Sequence, residues 1–132
     1  MFGRSTQLSG RSVRRAVALA LLLAGVPAPP ASAHGDLHDQ IREVTRQIAR
    51  RPDDARLYLK RGELQRFHGE TEAALADYDR AARLDPSLAE VDLGRGKSLL
   101  EAGRPAQARA ALGRFLERRP DHADARLSLA RV

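Results

Sequence analysis

The chain has 132 residues, a net charge of +6, 30% charged side chains and no cysteine. That length is one domain's worth, and the lack of cysteine excludes disulfides, thiolate metal sites, cysteine nucleophiles and an N-terminal lipidated cysteine. Aromatics are only 4% of the residues, which favours many small helix–helix contacts over one bulky core.

Residues 1–33 have the three parts of an export signal peptide. Arg4, Arg11, Arg14 and Arg15 make a positive start, Ala16–Val26 is an apolar middle, and Ala31-Ser32-Ala33 is a small-x-small cleavage site before His34. The apolar run is well short of the ~20 residues that span a bilayer. Cleavage after Ala33 is therefore expected rather than retention as an anchor, leaving a periplasmic or secreted chain of 99 residues with no stable membrane insertion. Arg14-Arg15 is preceded by Val13 rather than Ser or Thr, which favours the general secretion route over the twin-arginine one. The leader also accounts for the charge. Without its four arginines, 19 basic residues face 17 acidic ones, interspersed as on a solvated helical surface, and nucleic acid is not an expected partner.

After the leader, Leu37, Ile41, Val44 and Ile48 are spaced four, three and four apart, an apolar stripe on one helical face. Pro52 stops that helix, and residues 34–54 read as an N-terminal cap equivalent to half a repeat. Asp53 or Asp54 can cap the next helix, expected from about Ala55 to His68 with Leu57, Tyr58 and Leu64 inward. Gly69 ends it as a glycine that tolerates positive φ. Thr71 is the expected cap of a partner helix over about 72–84 that buries Ala74, Leu75, Tyr78, Ala81 and Ala82.

Residues 89–122 follow the same script as 55–88. Ser87-Leu88-Ala89-Glu90 has the form of a capping box, Gly103 closes the first helix, and Pro105 stands in the first turn of the second, where its missing N–H costs nothing. Ala108, Ala111, Leu112, Phe115 and Leu116 make the inner face. Asp121 is the expected cap of a last helix from about His122, so that 123–132 is a partial third repeat or capping helix.

The spacing behind this script is regular. Pro52, Pro86 and Pro120 stand 34 residues apart, as do Gly62 and Gly96, Gly69 and Gly103, Ala74 and Ala108, and Leu59, Leu93 and Leu127. A period of that size means stacked supersecondary units. Gly62 is expected to face Ala74, and Gly96 to face Ala108, so that paired helices approach toward the short end of the usual 8–10 Å range.

These residues resemble the tetratricopeptide repeat family. With Ala55 as the first position, Tyr58 matches the family's aromatic at the fourth, Gly62 the glycine at the eighth, and Ala74 the alanine at the twentieth. Tyr78, Ala81 and Pro86 match the aromatic, alanine and proline at the twenty-fourth, twenty-seventh and thirty-second. The second unit keeps Gly96, Ala108 and Pro120 but has Asp92 and Leu112 for the aromatics and Phe115 for the alanine. Arg61 and Arg95 stand where the family usually has leucine. The resemblance implies an all-α, right-handed solenoid of antiparallel helix pairs, two full repeats flanked by partial ones. A third unit broken off in its first helix leaves an edge through which copies could form a homo-oligomer.

The resemblance also implies a non-enzymatic scaffold that binds another protein or peptide in a groove lined by the first helix of each unit. The groove positions are Arg56, Leu59, Glu63, Arg66 and Phe67, then Glu90, Leu93, Lys97, Leu100 and Glu101, then Asp124 and Leu127. Leu59, Leu93 and Leu127 either form an apolar ladder edged by charge, as a recognition surface requires, or pack between neighbouring helices. The family's chaperone-binding members hold a C-terminal carboxylate with Lys and Asn where this chain has Leu59 and Glu63, so an acidic chaperone tail is not the expected ligand.

No nucleophile motif, glycine-rich phosphate loop or H-E-x-x-H motif is present. The acid pairs Asp77/Asp79 and Glu70/Glu72 are two residues apart, point to different helix faces, and read as solubilising residues and caps. No cofactor is expected. The alternative reading is a periplasmic copper-binding protein in which cleavage exposes the amino group of His34 beside its imidazole, with His38 or Asp36 as a further ligand. The plainer reading of residues 34–39 is a polar tail leading into the first helix. His68 and His122, at helix ends, read as surface or capping residues.

Overall fold

The computed structural model describes residues Ala33–Val132, with side chains from Asp36 onward. The expected leader lies outside the described residues except for Ala33, which opens the first helix. The described residues form six helices and no strand: α1 Ala33–Arg50, α2 Ala55–Phe67, α3 Thr71–Leu84, α4 Glu90–Glu101, α5 Pro105–Arg118 and α6 Ala123–Ala130. Contact is most extensive between α2 and α3 and between α4 and α5. Each pair then stacks on the next, α1 on α2, α3 on α4 and α5 on α6, and the first helices α2, α4 and α6 meet in succession. This is an all-α solenoid of antiparallel helix pairs. None of these helices is long and apolar enough to cross a membrane.

The turns follow from local chemistry. Gly69 and Gly103 adopt positive φ, 84° and 69°, the left-handed conformation that side chains disfavour. There the chain reverses in a Schellman arrangement, with Glu70 N donating to Gln65 O at 2.8 Å and Arg104 N to Leu99 O at 2.8 Å. Pro105 is the first residue of α5, and Asp54 caps α2 by accepting from Arg56 N at 3.1 Å.

Three expected caps form differently. Thr71 lies inside α3, whose N-cap is Glu70 without a side-chain bond; the Glu70 carboxylate instead meets His68 Nδ1 at 3.0 Å. The capping box at Ser87 does not form, because the nearer Asp85 carboxylate takes both Ser87 N, at 3.0 Å, and Ser87 Oγ, at 2.5 Å. At α6 the cap is His122 rather than Asp121. Its Nδ1 accepts from Ala125 N at 3.2 Å, and its ring is held edge-on to Phe115 with centroids 5.0 Å apart.

The core is a chain of small clusters, one per helix pair. Val44 and Ile48 of α1 bury against Leu57, flanked by Tyr58 and Leu64. Ala55, Ala74, Tyr78, Ala81, Leu88 and Val91 form the next cluster, and Ala89, Phe115 and Ala125 the third. The expected inward residues of α3 and α5 lie in this layer. The glycine notches receive a different side chain from the expected alanines. A Cβ on Gly62 would stand 2.7 Å from Tyr78 Cε1, with the Ala74 carbonyl only third nearest, and one on Gly96 would meet Leu112 Cγ at 2.5 Å. The notch takes the large residue one turn further along the partner helix.

Tyr78 also reaches forward. A Cβ on Gly94, in the next unit's first helix, would stand 2.7 Å from Tyr78 Cζ and 2.8 Å from Glu63 Oε1. The fully buried ring thus sits between α2 and α4 and sets their spacing. Burial and then the Glu63 carboxylate push its phenol above the ordinary tyrosine range, so the ring stays neutral.

The departures from the family pattern pair with one another. Arg61 donates to both carboxylate oxygens of Asp77, at 2.6 and 2.7 Å, and to Thr45 Oγ1 of α1 at 3.1 Å. That pairing raises the Arg61 pKa against the effect of its burial. Asp77 is therefore buried structure, not the solubilising residue that its sequence context suggests. In the second unit Ala111 occupies the position equivalent to Asp77, and Arg95 bonds instead to Asp79 of α3 and, at 3.3 Å, to Asp92. Asp92, standing where the family has an aromatic, also accepts from Arg114 Nη2 of α5 at 3.0 Å.

A cleft on the face of the first helices

Because α2, α4 and α6 stack directly, residues from the last turns of α2 and α4 share one face with residues of α6. There they bound an open cleft of about 610 Å³. Arg66 and Phe67 come from α2, Lys97, Leu100 and Glu101 from α4, Asp124 and Ser128 from α6, and Arg131 follows α6. Phe67 is the most exposed large apolar side chain described, 64% accessible, with the Arg66 guanidinium carbon 4.1 Å from its ring centre.

The cations on this face are tied to acids of the neighbouring helix. Arg66 Nη1 donates to Glu101 at 2.6 Å and its Nη2 to Glu63 at 3.1 Å. Burial works against the Arg66 charge, but these two carboxylates outweigh it and raise its pKa. Lys97 Nζ donates to Asp124 at 2.5 Å and holds that carboxyl below its ordinary range. Two ion pairs therefore cross from α2 to α4 and from α4 to α6. They tie successive first helices together and leave Phe67 and Leu100 as apolar surface between them.

Of the expected groove residues, Arg66, Phe67, Lys97, Leu100, Glu101 and Asp124 meet at this cleft, and Glu63 attaches through Arg66. Arg56 is exposed on α2 away from it, and Glu90 pairs with Arg119 at 3.4 Å. The leucines divide between the two roles open to them. Leu59 is half-buried against the Tyr78 cluster and Leu93 against the Phe115 cluster, whereas Leu127 is 54% accessible. Ser128 and Arg131 line the cleft without having been expected there. Arg131 had a signal, since it follows Glu63 and Lys97 at the same 34-residue interval.

A sequence model of the tetratricopeptide repeat family matches residues 28–89 and 93–132. The chain belongs to the tetratricopeptide repeat family. No curated protein matches it. Tetratricopeptide repeats generally mediate protein–protein interaction and are typically non-enzymatic scaffolds, a role consistent with a cleft of apolar side chains rimmed by charge.

The remaining candidate residues of this repeat protein are dispersed by the fold. Asp77 and Asp79 serve Arg61 and Arg95 on different sides of α3, and Glu72 pairs with Arg104 at 2.8 Å. His38 is exposed on α1, and the side chain of His34 lies outside the described residues. Among the described residues no group of three or more His, Asp or Glu side chains is disposed as a metal cage.

Proposed function

We propose that this tetratricopeptide repeat protein is an exported, non-enzymatic scaffold that holds another polypeptide against the face of α2, α4 and α6. The observation that carries the reading is the cleft itself, where Phe67, 64% accessible, stands beside Leu100 within a frame of ion pairs. An exposed aromatic over a preformed apolar floor, rimmed by charge, is the usual anatomy of a recognition surface. Export rests on the positive, apolar and small-x-small segments of residues 1–33. The leader sets where the scaffold works, and the cleft sets what it can hold.

The test is capture of partners from an envelope extract on the intact protein and on a Phe67→Ser, Leu127→Ser variant. Both side chains are exposed, so helicity should be unchanged while a specific partner is lost. Partners retained in full would contradict the groove. Serine at Leu59 or Leu93 is not a clean test, because both pack on the core. Export is checked by the intact mass of the protein recovered outside the cytoplasm: a chain beginning at His34 supports it, and one retaining the leader does not.

A second surface supports self-association. Leu116, Pro120, Leu129 and Ala130 bound a cleft of about 550 Å³ between α5 and α6, with Asp121 and Arg126 at its edge. An equivalent surface of a second copy would cover it. Sedimentation over a range of concentrations should show a monomer–dimer equilibrium that Leu129→Glu abolishes, and a monomer at every concentration would contradict it.

A further inference from the structure

The cleft of α2, α4 and α6 is lined by three cations, Arg66, Lys97 and Arg131, and they are not engaged alike. Arg66 gives its hydrogen bonds to Glu101 and Glu63, and Lys97 gives its bond to Asp124. Arg131 makes no side-chain hydrogen bond or ion pair among the described residues. Asp124 feels its charge, but that carboxylate is already taken by Lys97. Ser128 lines the same cleft and is only 7% accessible. Its hydroxyl also has no hydrogen-bond partner among the described residues, not even the carbonyl one turn back that a helical serine commonly takes. Arg131, at the C-cap of α6, stands three residues after Ser128, and residues so spaced share a helix face.

We infer that the polypeptide held on this face presents an acidic side chain to Arg131 and Ser128 and a large apolar one to Phe67 and Leu100. The inference rests on the reading of the cleft as the binding face and adds the chemistry of the occupant. Charge complementarity carries it. The carboxylates of the cleft are spent on Arg66 and Lys97, so the acceptor for a nearly buried hydroxyl and an uncommitted guanidinium comes from outside the chain. A guanidinium takes a carboxylate through paired N–H donors, and a buried hydroxyl left without a partner is costly. Packed helices lie about 8–10 Å apart, so α2 and α6 are separated by about 16–20 Å, the reach of about five or six extended residues. The apolar and the acidic side chain therefore belong to one short extended stretch. The cleft is open, so nothing requires that stretch to end at Arg131, and the carboxylate is that of a side chain. This differs from the family's chaperone-tail clamp, which holds a terminal carboxylate where this chain has Leu59 and Glu63.

The test selects binders to the full chain from two arrays of random dodecapeptides, one acetylated and amidated, the other with free C-termini. Peptides enriched from the capped array should carry Asp or Glu within about six residues of a large apolar side chain. Arg131→Glu should weaken such a peptide about tenfold or more, because like charges across an interface cost affinity, and should turn the selection toward Lys or Arg at the place of the acid. Ser128→Ala should weaken it by about threefold or more. Arg83→Glu, the same charge change at an exposed position of α3, should bind as the parent does. Circular dichroism of the Arg131→Glu variant guards against loss through unfolding. Enriched peptides without an acid, or an acid preference unchanged in Arg131→Glu, would overturn the inference and leave the groove standing. Enrichment from the free C-terminal array alone would assign the carboxylate to a chain end and overturn it as well. No enrichment by the parent chain, or binding unaffected by Phe67→Ser, would remove the groove and the inference together.

Discussion

Tyr78 is the residue on which the spacing of the stack depends. Its ring is fully buried, with Gly62 of its own unit on one side and Gly94 of the next on the other. Its hydroxyl is one of the few buried side-chain polar atoms described without a hydrogen-bond partner of good geometry. Removing such a group costs little, whereas removing the ring leaves a cavity. Tyr78→Phe is therefore expected to leave stability unchanged or slightly raised, while Tyr78→Ala loses about 3–5 kcal/mol in denaturant unfolding. The glycines add a second contrast. Gly94→Ala drives a methyl group into Tyr78 and Glu63, an overpacking worth roughly 1–3 kcal/mol. Gly113→Ala, in open space on α5, should stabilise by up to about 1 kcal/mol through helix propensity. If the two alanines behaved alike, the glycine-notch account would fail.

At the scale of the helix, α2 is held to its neighbours by a charge where its family places a leucine. Arg61 joins α2 to Asp77 of α3 and to Thr45 of α1. Asp77→Ala strands a largely buried guanidinium and should cost about 3 kcal/mol, the lower end for breaking a buried pair. The Arg61→Leu, Asp77→Leu double variant should recover most of that loss, since apolar replacement of a buried pair is often neutral or better. A double variant as unstable as Asp77→Ala would mean that Arg61 acts through Thr45 instead. On the cleft face, Lys97 depresses the Asp124 carboxyl below 3.8 in the folded chain. A depressed acid adds stability that is present above its unfolded value and is lost as pH falls through the folded one. The Lys97–Asp124 tie should thus be intact at pH 5 and released only in stronger acid. Carbon-13 titration of the Asp124 carboxyl should show this, with Lys97→Ala returning the midpoint toward 3.8.

These two helices also show what was legible in the sequence. The period of 34, the notch glycines, the turn glycines and the buried face of α3 could be read directly, because each depends on spacing along one chain. Arg61 and Asp92 could be recognised as departures from the family pattern, but not explained. Their partners are 16 and 22 residues away, and side-chain pairing across a helix packing leaves no periodic trace. The caps expected at Thr71, Ser87 and Asp121 form differently for a related reason. Several polar residues compete for each free N–H, and a neighbour decides the outcome, as the Phe115 ring does for His122. The groove was legible by position but not by depth. Leu59 and Leu127 occupy equivalent places in the repeat, yet one packs on the Tyr78 cluster and the other faces solvent.

For the whole molecule, the stack turns small local fits into one continuous face. Tyr78 spaces α2 from α4, Arg66–Glu101 and Lys97–Asp124 tie successive first helices, and the cleft between them exposes an aromatic ring. That the partner polypeptide lies on this face is the central claim. It is tested most directly by a photo-crosslinking amino acid placed in turn at Phe67 and at Ala110, an exposed position of α5. In cells, the account predicts a discrete adduct from position 67 and none from position 110. Equal labelling from both positions, or adducts from position 110 alone, would contradict it.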